Sequence, residues 1–126
     1  MTQPQEGRAE TDMGVRLQLD DFGKEALEAQ MRGGSSRDAV IRTAARYYLA
    51  DRDSGRVAWR VPRFVRGRDP EGAWTDVDLD DDTMDALEEE ARRQGIATDR
   101  LAEHAFLYFV ADLDSGRAGA RLPALE

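Results

Sequence analysis

The 126-residue sequence contains no cysteine, one histidine, one lysine and no long apolar run. Without cysteine the chain cannot form a disulfide framework or a thiolate metal site. No apolar stretch approaches the roughly 20 residues that a membrane-spanning helix needs, and the polar N-terminus lacks the apolar segment of a signal peptide. We therefore expect a cytoplasmic protein that does not enter a membrane and carries no cofactor.

The sequence also lacks a nucleophile–base motif and a glycine-rich phosphate loop. A catalytic histidine needs a second group in reach, and nothing is paired with His104, which we predict to be an exposed helix residue. The carboxylates of residues 78–82 lack the ligand spacing of a calcium loop, and the last three of them suit helix capping. We expect no enzymatic activity and no metal site.

The net charge of −8 argues against nucleic acid as the default partner. The charge is distributed unevenly, however. Residues 14–54 hold seven basic and seven acidic groups, residues 55–73 hold five arginines against two acidic groups, and residues 74–117 hold four basic against thirteen acidic groups. The chain therefore joins a neutral segment, a basic connection and an acidic segment.

A strict alternation over residues 15–19 predicts a β-strand with one buried face. Val15, Leu17 and Leu19 form the apolar side, whereas Arg16 and Gln18 lie on the other. Arginine can donate two hydrogen bonds to guanine, and glutamine can both donate to and accept from adenine. The polar face therefore has the chemistry to read bases, and its plain alternative is a solvated ribbon face.

Two helices are predicted to follow this strand. Asp20 or Asp21 suits the N-cap of the first helix, which should run to about Arg32 and stop at Gly33-Gly34. Its apolar positions recur at intervals of three and four residues: Phe22, Ala26, Leu27 and Met31. The second helix has three possible caps, Ser35, Ser36 and Asp38, and a broad apolar face that extends to Leu49.

The whole pattern returns about 60 residues later. Residues 75–79 repeat the strand, Asp80–Asp82 the first cap, Gly95 the glycine stop, and Thr98 or Asp99 the second cap. The offset is 60 before the turn between the helices and 61 after it. Matched elements at such a period indicate an internal duplication. The aromatic residues of both second helices are predicted to form the core: Tyr47, Tyr48, Phe106, Tyr108 and Phe109.

Five segments follow from this pattern: a disordered arm (1–13), a first unit (14–54), a basic linker (55–73), a second, acidic unit (74–117) and a tail (118–126). Pro62 and Pro70 disfavour a long regular element in the linker. Trp59 and Phe64 are expected to cover the open side of a small core. The linker arginines either contact DNA or balance the acidic half.

The first unit resembles the ribbon-helix-helix family of DNA-binding proteins. The resemblance lies in the strand Val15–Leu19, the turn Gly34–Asp38 and the run Ala39–Leu49, and a degenerate copy covers residues 74–117. It implies a mainly α fold in which two units pair their strands into a two-stranded antiparallel ribbon. Here both units lie in one chain, which implies an intrachain pseudo-dimer, although pairing between chains as a homodimer stays open.

The resemblance also implies site residues. The family's ribbon lies in the DNA major groove, so Arg16 and Gln18 would read bases. The start of the second helix would grip a phosphate through Ser35, Ser36 and Arg37. We expect Arg60, Arg63 and Arg66 of the linker to add contacts to double-stranded DNA.

The second unit departs from the family pattern. Its two outward strand positions are Asp76 and Asp78, and its turn, residues 95–99, lacks the paired serines. Phosphate contacts supply most of the affinity of such complexes, and carboxylates would oppose them. Two functions therefore stay open: a DNA-binding transcriptional regulator or antitoxin-like protein, and a protein-interaction module that binds a basic partner through the acidic unit.

Overall fold

A computed structural model of the chain describes residues 14–62 and 72–116. This part of the chain is mainly helical and also contains one two-stranded antiparallel sheet. In chain order its elements are β1 (Gly14–Leu17), α1 (Asp21–Arg32), α2 (Arg37–Ala50), a 3-10 turn (Val57–Trp59), β2 (Thr75–Asp78), α3 (Asp81–Gln94) and α4 (Thr98–Ser115). The predicted arm and tail lie outside the described residues. In the described ranges, no helix combines the length and apolar character needed to cross a membrane.

The two strands lie side by side, with Val15 opposite Val77 and Arg16 opposite Asp76. The predicted alternation is confirmed, since the valines and Leu17 are buried while Arg16 and Asp76 are exposed. Both strands end before the leucine that closes each predicted run. The inner face of this ribbon therefore contributes apolar side chains to the core, and its outer face is polar.

Three helix starts are capped as the sequence predicts. Asp20 accepts a hydrogen bond from the Gly23 N–H (2.8 Å), Ser36 from the Ala39 N–H (3.1 Å), and Asp80 from the Thr83 N–H (3.2 Å). The hydrogen bond from the Thr83 hydroxyl to Asp80 lowers the pKa of that carboxyl. Each side chain satisfies a backbone donor that the first helical turn leaves unpaired.

The cap predicted for the fourth helix is wrong. Ala97 occupies the N-cap position of α4, and no side chain caps the helix there. Thr98 is already helical, and the Asp99 carboxylate accepts a hydrogen bond from the Arg16 N–H of β1 (3.2 Å). The residue expected to cap its own helix is thus engaged with the ribbon.

The core lies between α2, α4 and the inner face of the ribbon. The prediction that the second-helix aromatics form it is confirmed: Tyr47, Tyr48, Phe106, Tyr108 and Phe109 are all buried. Tyr47 meets Phe109 edge to face at 5.5 Å between ring centroids, a favoured aromatic geometry. The two long helices α2 and α4 therefore hold the two halves of the described chain, residues 14–62 and 72–116, together.

Trp59 closes one side of this core, as predicted for that residue. Its ring stacks on Tyr48 at 4.5 Å between centroids, and its indole N–H donates to the Tyr48 carbonyl (2.7 Å). The Tyr48 hydroxyl donates back to the Trp59 carbonyl, and burial raises the pKa of Tyr48. Phe64, predicted to act with Trp59, lies outside the described residues.

His104 corrects a further prediction, because it is half-buried rather than exposed. Its Nε2 atom lies 3.1 Å from the Ala58 carbonyl oxygen and 3.0 Å from that of Trp59. Its ring meets Tyr48 edge to face at 5.6 Å, and burial lowers its pKa. The prediction considered only the apolar face of the helix. It did not include the linker, which passes over this part of α4 and covers His104.

Phe22 was predicted to belong to the apolar face of the first helix, but its side chain is 57% exposed. The buried residues of α1 are Gly23 and Leu27 instead. Gly23 lies so close to Leu19 that a Cβ there would be 3.2 Å from the leucine Cβ. The buried stripe of α1 therefore passes through Gly23 and Leu27, and Phe22 lies outside it.

Candidate interaction face on the ribbon

The outer side of the ribbon carries a shallow groove of about 480 Å³. It is lined by residues 14–16 of β1, residues 76–78 of β2 and Asp99 from the start of α4. A Cβ on Gly14 would lie 2.8 Å from the Val77 carbonyl oxygen, so only glycine fits this close approach of the strands. We call this surface the ribbon face.

Arg16 lies on the ribbon face but is engaged there. Its Nε donates to the Asp76 Oδ1 of the opposite strand (3.2 Å), and its guanidinium carbon lies 5.4 Å from the centroid of the Trp74 ring. Both charged side chains are mostly exposed, at 60% and 77%, so the pair contributes at most about 1 kcal/mol to stability. It nevertheless offsets the positive charge at the position predicted to read bases.

Carboxylates from the second helices also accept hydrogen bonds from backbone groups of the ribbon. Asp99 accepts from the Arg16 N–H (3.2 Å) and Glu103 from the Gln18 N–H (2.6 Å). In the other repeat, Asp38 accepts from the Asp78 N–H (3.2 Å). Asp38 and Asp99 are related by the 61-residue offset, and each binds the strand of the other repeat. Both helix starts therefore place a negative charge beside the ribbon.

The predicted phosphate grip is brought together only in part. Ser35 and Arg37 are exposed at the start of α2, next to Ser36, but the Ser36 hydroxyl already caps the Ala39 N–H. Asp38 follows immediately, and its negative charge opposes an anion at this helix start. This arrangement suits a phosphate less well than the serine pair suggested.

Arg60, one of the three linker arginines predicted to contact DNA, does not line the ribbon face. Arg60 is exposed and follows the 3-10 turn that packs on Tyr48. Tyr48 lies ten residues beyond Asp38, or about 15 Å along α2. Arg63 and Arg66 lie outside the described residues. Among the described linker arginines, Arg56 instead points into the junction between α2 and α4.

A buried polar network fixes that junction. Tyr47 donates a hydrogen bond to Asp112, and Tyr108 donates one to Asp51. Arg56 binds both oxygens of Asp112, with distances of 2.8 and 3.0 Å, and lies 3.5 Å from Asp51. Burial, followed by the neighbouring Asp51, raises the pKa of Tyr108 to about 12. These groups serve to orient α2 against α4, and thereby the two strands that precede them.

A third buried carboxylate, Glu90, lies in α3. Glu90 is 2% exposed and lies 3.7 Å from an Arg52 nitrogen and 3.6 Å from an Arg93 nitrogen. Its other oxygen accepts from Gln94 (2.9 Å), which also donates to the Tyr48 hydroxyl (3.1 Å). This cluster connects α3 to the end of α2 and stays away from the ribbon face.

Comparisons with known proteins return no match to a protein-family model, to a curated protein or to a solved structure. The ribbon face itself is therefore the feature of the molecule that bears on function. The sequence predicted that Arg16, Asp76 and Asp78 lie on the polar side of the ribbon. It did not predict that Asp99 lines the same groove, or that Asp38 and Trp74 contact ribbon residues. The 61-residue offset was the available signal, because it relates Asp38 to Asp99 and places an acidic residue at both helix starts.

Proposed function

We propose that the chain is a tandem ribbon-helix-helix pseudo-dimer whose acidic ribbon face binds a basic segment of a partner protein. The observation that carries the proposal is the pairing of Arg16 with Asp76 in a groove that is also bordered by Asp78 and Asp99. Among the described residues, the only positive side chain lining this groove is therefore matched by a carboxylate, and two more carboxylates line the groove.

The architecture is supported by contacts that repeat with the sequence offset. Tyr47 and Tyr108 are 61 residues apart, as are Asp112 and Asp51, and each tyrosine binds the aspartate of the other repeat. Asp38 and Asp99 also each bind the strand of the other repeat, at Asp78 and Arg16, which are strand positions that the offset does not relate. Reciprocal contacts of this kind are expected at an isologous interface between two copies of one module.

The electrostatics of the ribbon face favour a cationic partner. DNA-binding surfaces gain most of their affinity from positive groups that neutralise phosphates, whereas this face presents more carboxylates than arginines. A lysine or arginine side chain from a partner would approach Asp78 and Asp99, which line the groove beside Gly14. Charge complementarity of this type gives specificity and faster association.

One observation favours the second candidate, a DNA-binding regulator or antitoxin-like protein. Arg16 keeps 60% of its side chain exposed on the outer face of the ribbon, and Trp74 supports its guanidinium. Release from Asp76 would cost little, because exposed ion pairs contribute at most about 1 kcal/mol. In this alternative the first repeat contacts the bases, and the second repeat only provides the strand and helices that pack against the first.

Binding measurements on the full chain distinguish the two. The probes are a nine-residue arginine peptide and a random-sequence DNA duplex, each titrated at several salt concentrations. We expect the peptide to bind and Asp78→Asn to weaken it by up to about fivefold, the value of one exposed charge pair. Asp53→Asn, which removes the same charge from an exposed position beyond the end of α2, should change the affinity less.

The opposite pattern would support the DNA-binding candidate. Duplex binding would then fall steeply with salt, since the slope reports the number of phosphates contacted, and Arg16→Ala would remove sequence preference. Equal effects of Asp78→Asn and Asp53→Asn on peptide binding would show that only the total charge matters, which would overturn the ribbon face as a specific site.

A further inference from the structure

A second groove lies between α1 and α4. It measures about 460 Å³ and its apolar lining is formed by Phe22, Ala26 and Ala29 of α1 and Val110 of α4. Phe22 is 57% exposed, and the two alanines follow it at intervals of four and seven residues, on the same side of the helix. The exposed phenylalanine therefore borders a trough with small residues at its floor.

The duplication shows that this apolar character is not required by the fold. The residue equivalent to Phe22 in the second repeat is Asp82, and the residue equivalent to Ala29 is Glu89; both are exposed. Leu107, 40% exposed and one turn before Val110 on α4, is replaced by Arg46 in the first repeat. Two of the four apolar lining positions are therefore charged in the other half of the chain, whereas Ala26 and Val110 correspond to Ala86 and Leu49.

The rim of the groove is mainly acidic. Glu25 and Glu28 of α1 and Asp114 of α4 border it, with Arg32 at one end. We infer that this groove binds an amphipathic helix of a partner protein, with apolar side chains in the trough and lysine or arginine side chains along the rim. In helix-in-groove recognition, an amphipathic helix lays its apolar face into an apolar groove, with anchors at positions i, i+3, i+4 and i+7 of that helix.

A second copy of the chain fits the groove less well than such a helix. Two copies would bring two acidic rims together, and each chain carries a net charge of −8. Like charges placed opposite each other at an interface are unfavourable. The charge pattern therefore selects a basic amphipathic helix over self-association. This site is separate from the ribbon face, and its occupation does not depend on the function proposed above.

The probe is a synthetic 14-residue peptide of leucine and lysine patterned as an amphipathic helix, titrated into the full chain at about 0.15 M salt. We expect saturable binding with one peptide per chain and NMR shift changes centred on Phe22, Ala26 and Val110. Phe22→Asp should weaken binding at least tenfold, the lower end expected for a buried phenylalanine. The second repeat already carries aspartate at the equivalent position, so the substitution is compatible with the helix.

Three controls sharpen the test. Val57→Ser removes an apolar side chain that is 93% exposed outside the groove and should leave the affinity unchanged. A peptide of the same composition, shuffled so that its leucines share no face, should bind at least tenfold more weakly. Because Phe22→Asp adds a negative charge, any general attraction for the cationic peptide would strengthen binding to this variant rather than weaken it.

Several results would overturn the inference. One is that the patterned peptide does not bind, and a second is that it binds wild type and Phe22→Asp equally. A third is that the shuffled peptide binds as tightly as the patterned one. Each of these results contradicts the inference. A dimer that Phe22→Asp dissociates would assign the groove to a second copy. Tighter peptide binding by a Leu122→Ser/Leu125→Ser variant would assign the groove to the chain's own C-terminal residues.

Discussion

Asp51 and Asp112 occupy equivalent positions near the ends of α2 and α4, and each accepts a hydrogen bond from the tyrosine of the other helix. The two carboxylates are 4% and 2% exposed. A buried carboxylate is costly unless it is paired and hydrogen-bonded, and here Arg56 lies between both. The buried carboxylate at the end of each helix therefore depends on a tyrosine of the other helix for a hydrogen bond.

Removing the tyrosine hydroxyls should destabilise the fold unequally. Tyr108→Phe removes a hydroxyl that donates to Asp51 and accepts from Arg56 (2.8 Å), whereas Tyr47→Phe leaves Asp112 with two short bonds from Arg56. We expect Tyr108→Phe to lower the free energy of unfolding by about 1.5–3 kcal/mol, the usual value of a hydrogen bond to a charged group, and Tyr47→Phe by less. Urea denaturation of both variants measures the difference. No loss in either variant would contradict the exchange, and equal losses would show that the bonds from Arg56 do not compensate Asp112.

A methyl group at Gly14 should disturb the ribbon. The added Cβ would lie 2.8 Å from the Val77 carbonyl oxygen, which belongs to the backbone of β2 and cannot move aside alone. We expect Gly14→Ala to cost about 1–3 kcal/mol, as is usual for overpacking. Gly33→Ala is the matched control, because its Cβ would lie 3.4 Å from the nearest atom and its φ of −78° suits alanine. A smaller loss for Gly14→Ala than for Gly33→Ala in thermal denaturation would show that the strands do not approach so closely.

His104 should make stability depend on pH. Burial lowers its pKa below the ordinary value of 6.5, so the unfolded chain binds a proton in a range where the folded chain does not. The free energy of unfolding should therefore fall as the pH drops below about 6.5, towards the folded pKa. We expect the loss between about pH 7.5 and pH 5.5 to be smaller in His104→Gln, which retains a side-chain N–H donor. Parallel stability profiles for the two proteins would contradict this account.

Local sequence signals predicted the elements that depend on few neighbours. The alternation of Val15 and Leu17 identified the strand, and the oxygen-bearing side chains of Asp20, Ser36 and Asp80 identified three helix starts. These features depend on backbone period and on a hydrogen bond within one helical turn. Such interactions involve only a few consecutive residues, so the sequence is sufficient to predict them.

Features that arise from packing between distant segments were not predictable in the same way. His104 is half-buried where the linker crosses α4. Phe22 is exposed, while the next residue, Gly23, packs on Leu19. Asp99 binds the ribbon instead of capping its own helix. For the candidate site, the sequence placed Arg16 and Asp76 on one face. It could not show that they would be directly opposite, because the register of two strands separated by a linker is set by the assembled core.

The charge of the ribbon face leads to the last prediction. In the double variant Asp76→Asn/Asp78→Asn, Arg16 loses its ion-pair partner and two negative charges leave the groove. We expect duplex DNA to bind this variant more tightly than wild type at low salt, with a steeper salt dependence, because carboxylates no longer oppose the phosphates. The triple variant that adds Arg16→Ala should lose most of this gain, since the freed guanidinium is the group that would contact the DNA. If the double variant binds no better, the ribbon does not face the duplex, and the DNA-binding alternative loses its basis in Arg16. If the gain instead survives Arg16→Ala, it reflects total charge alone.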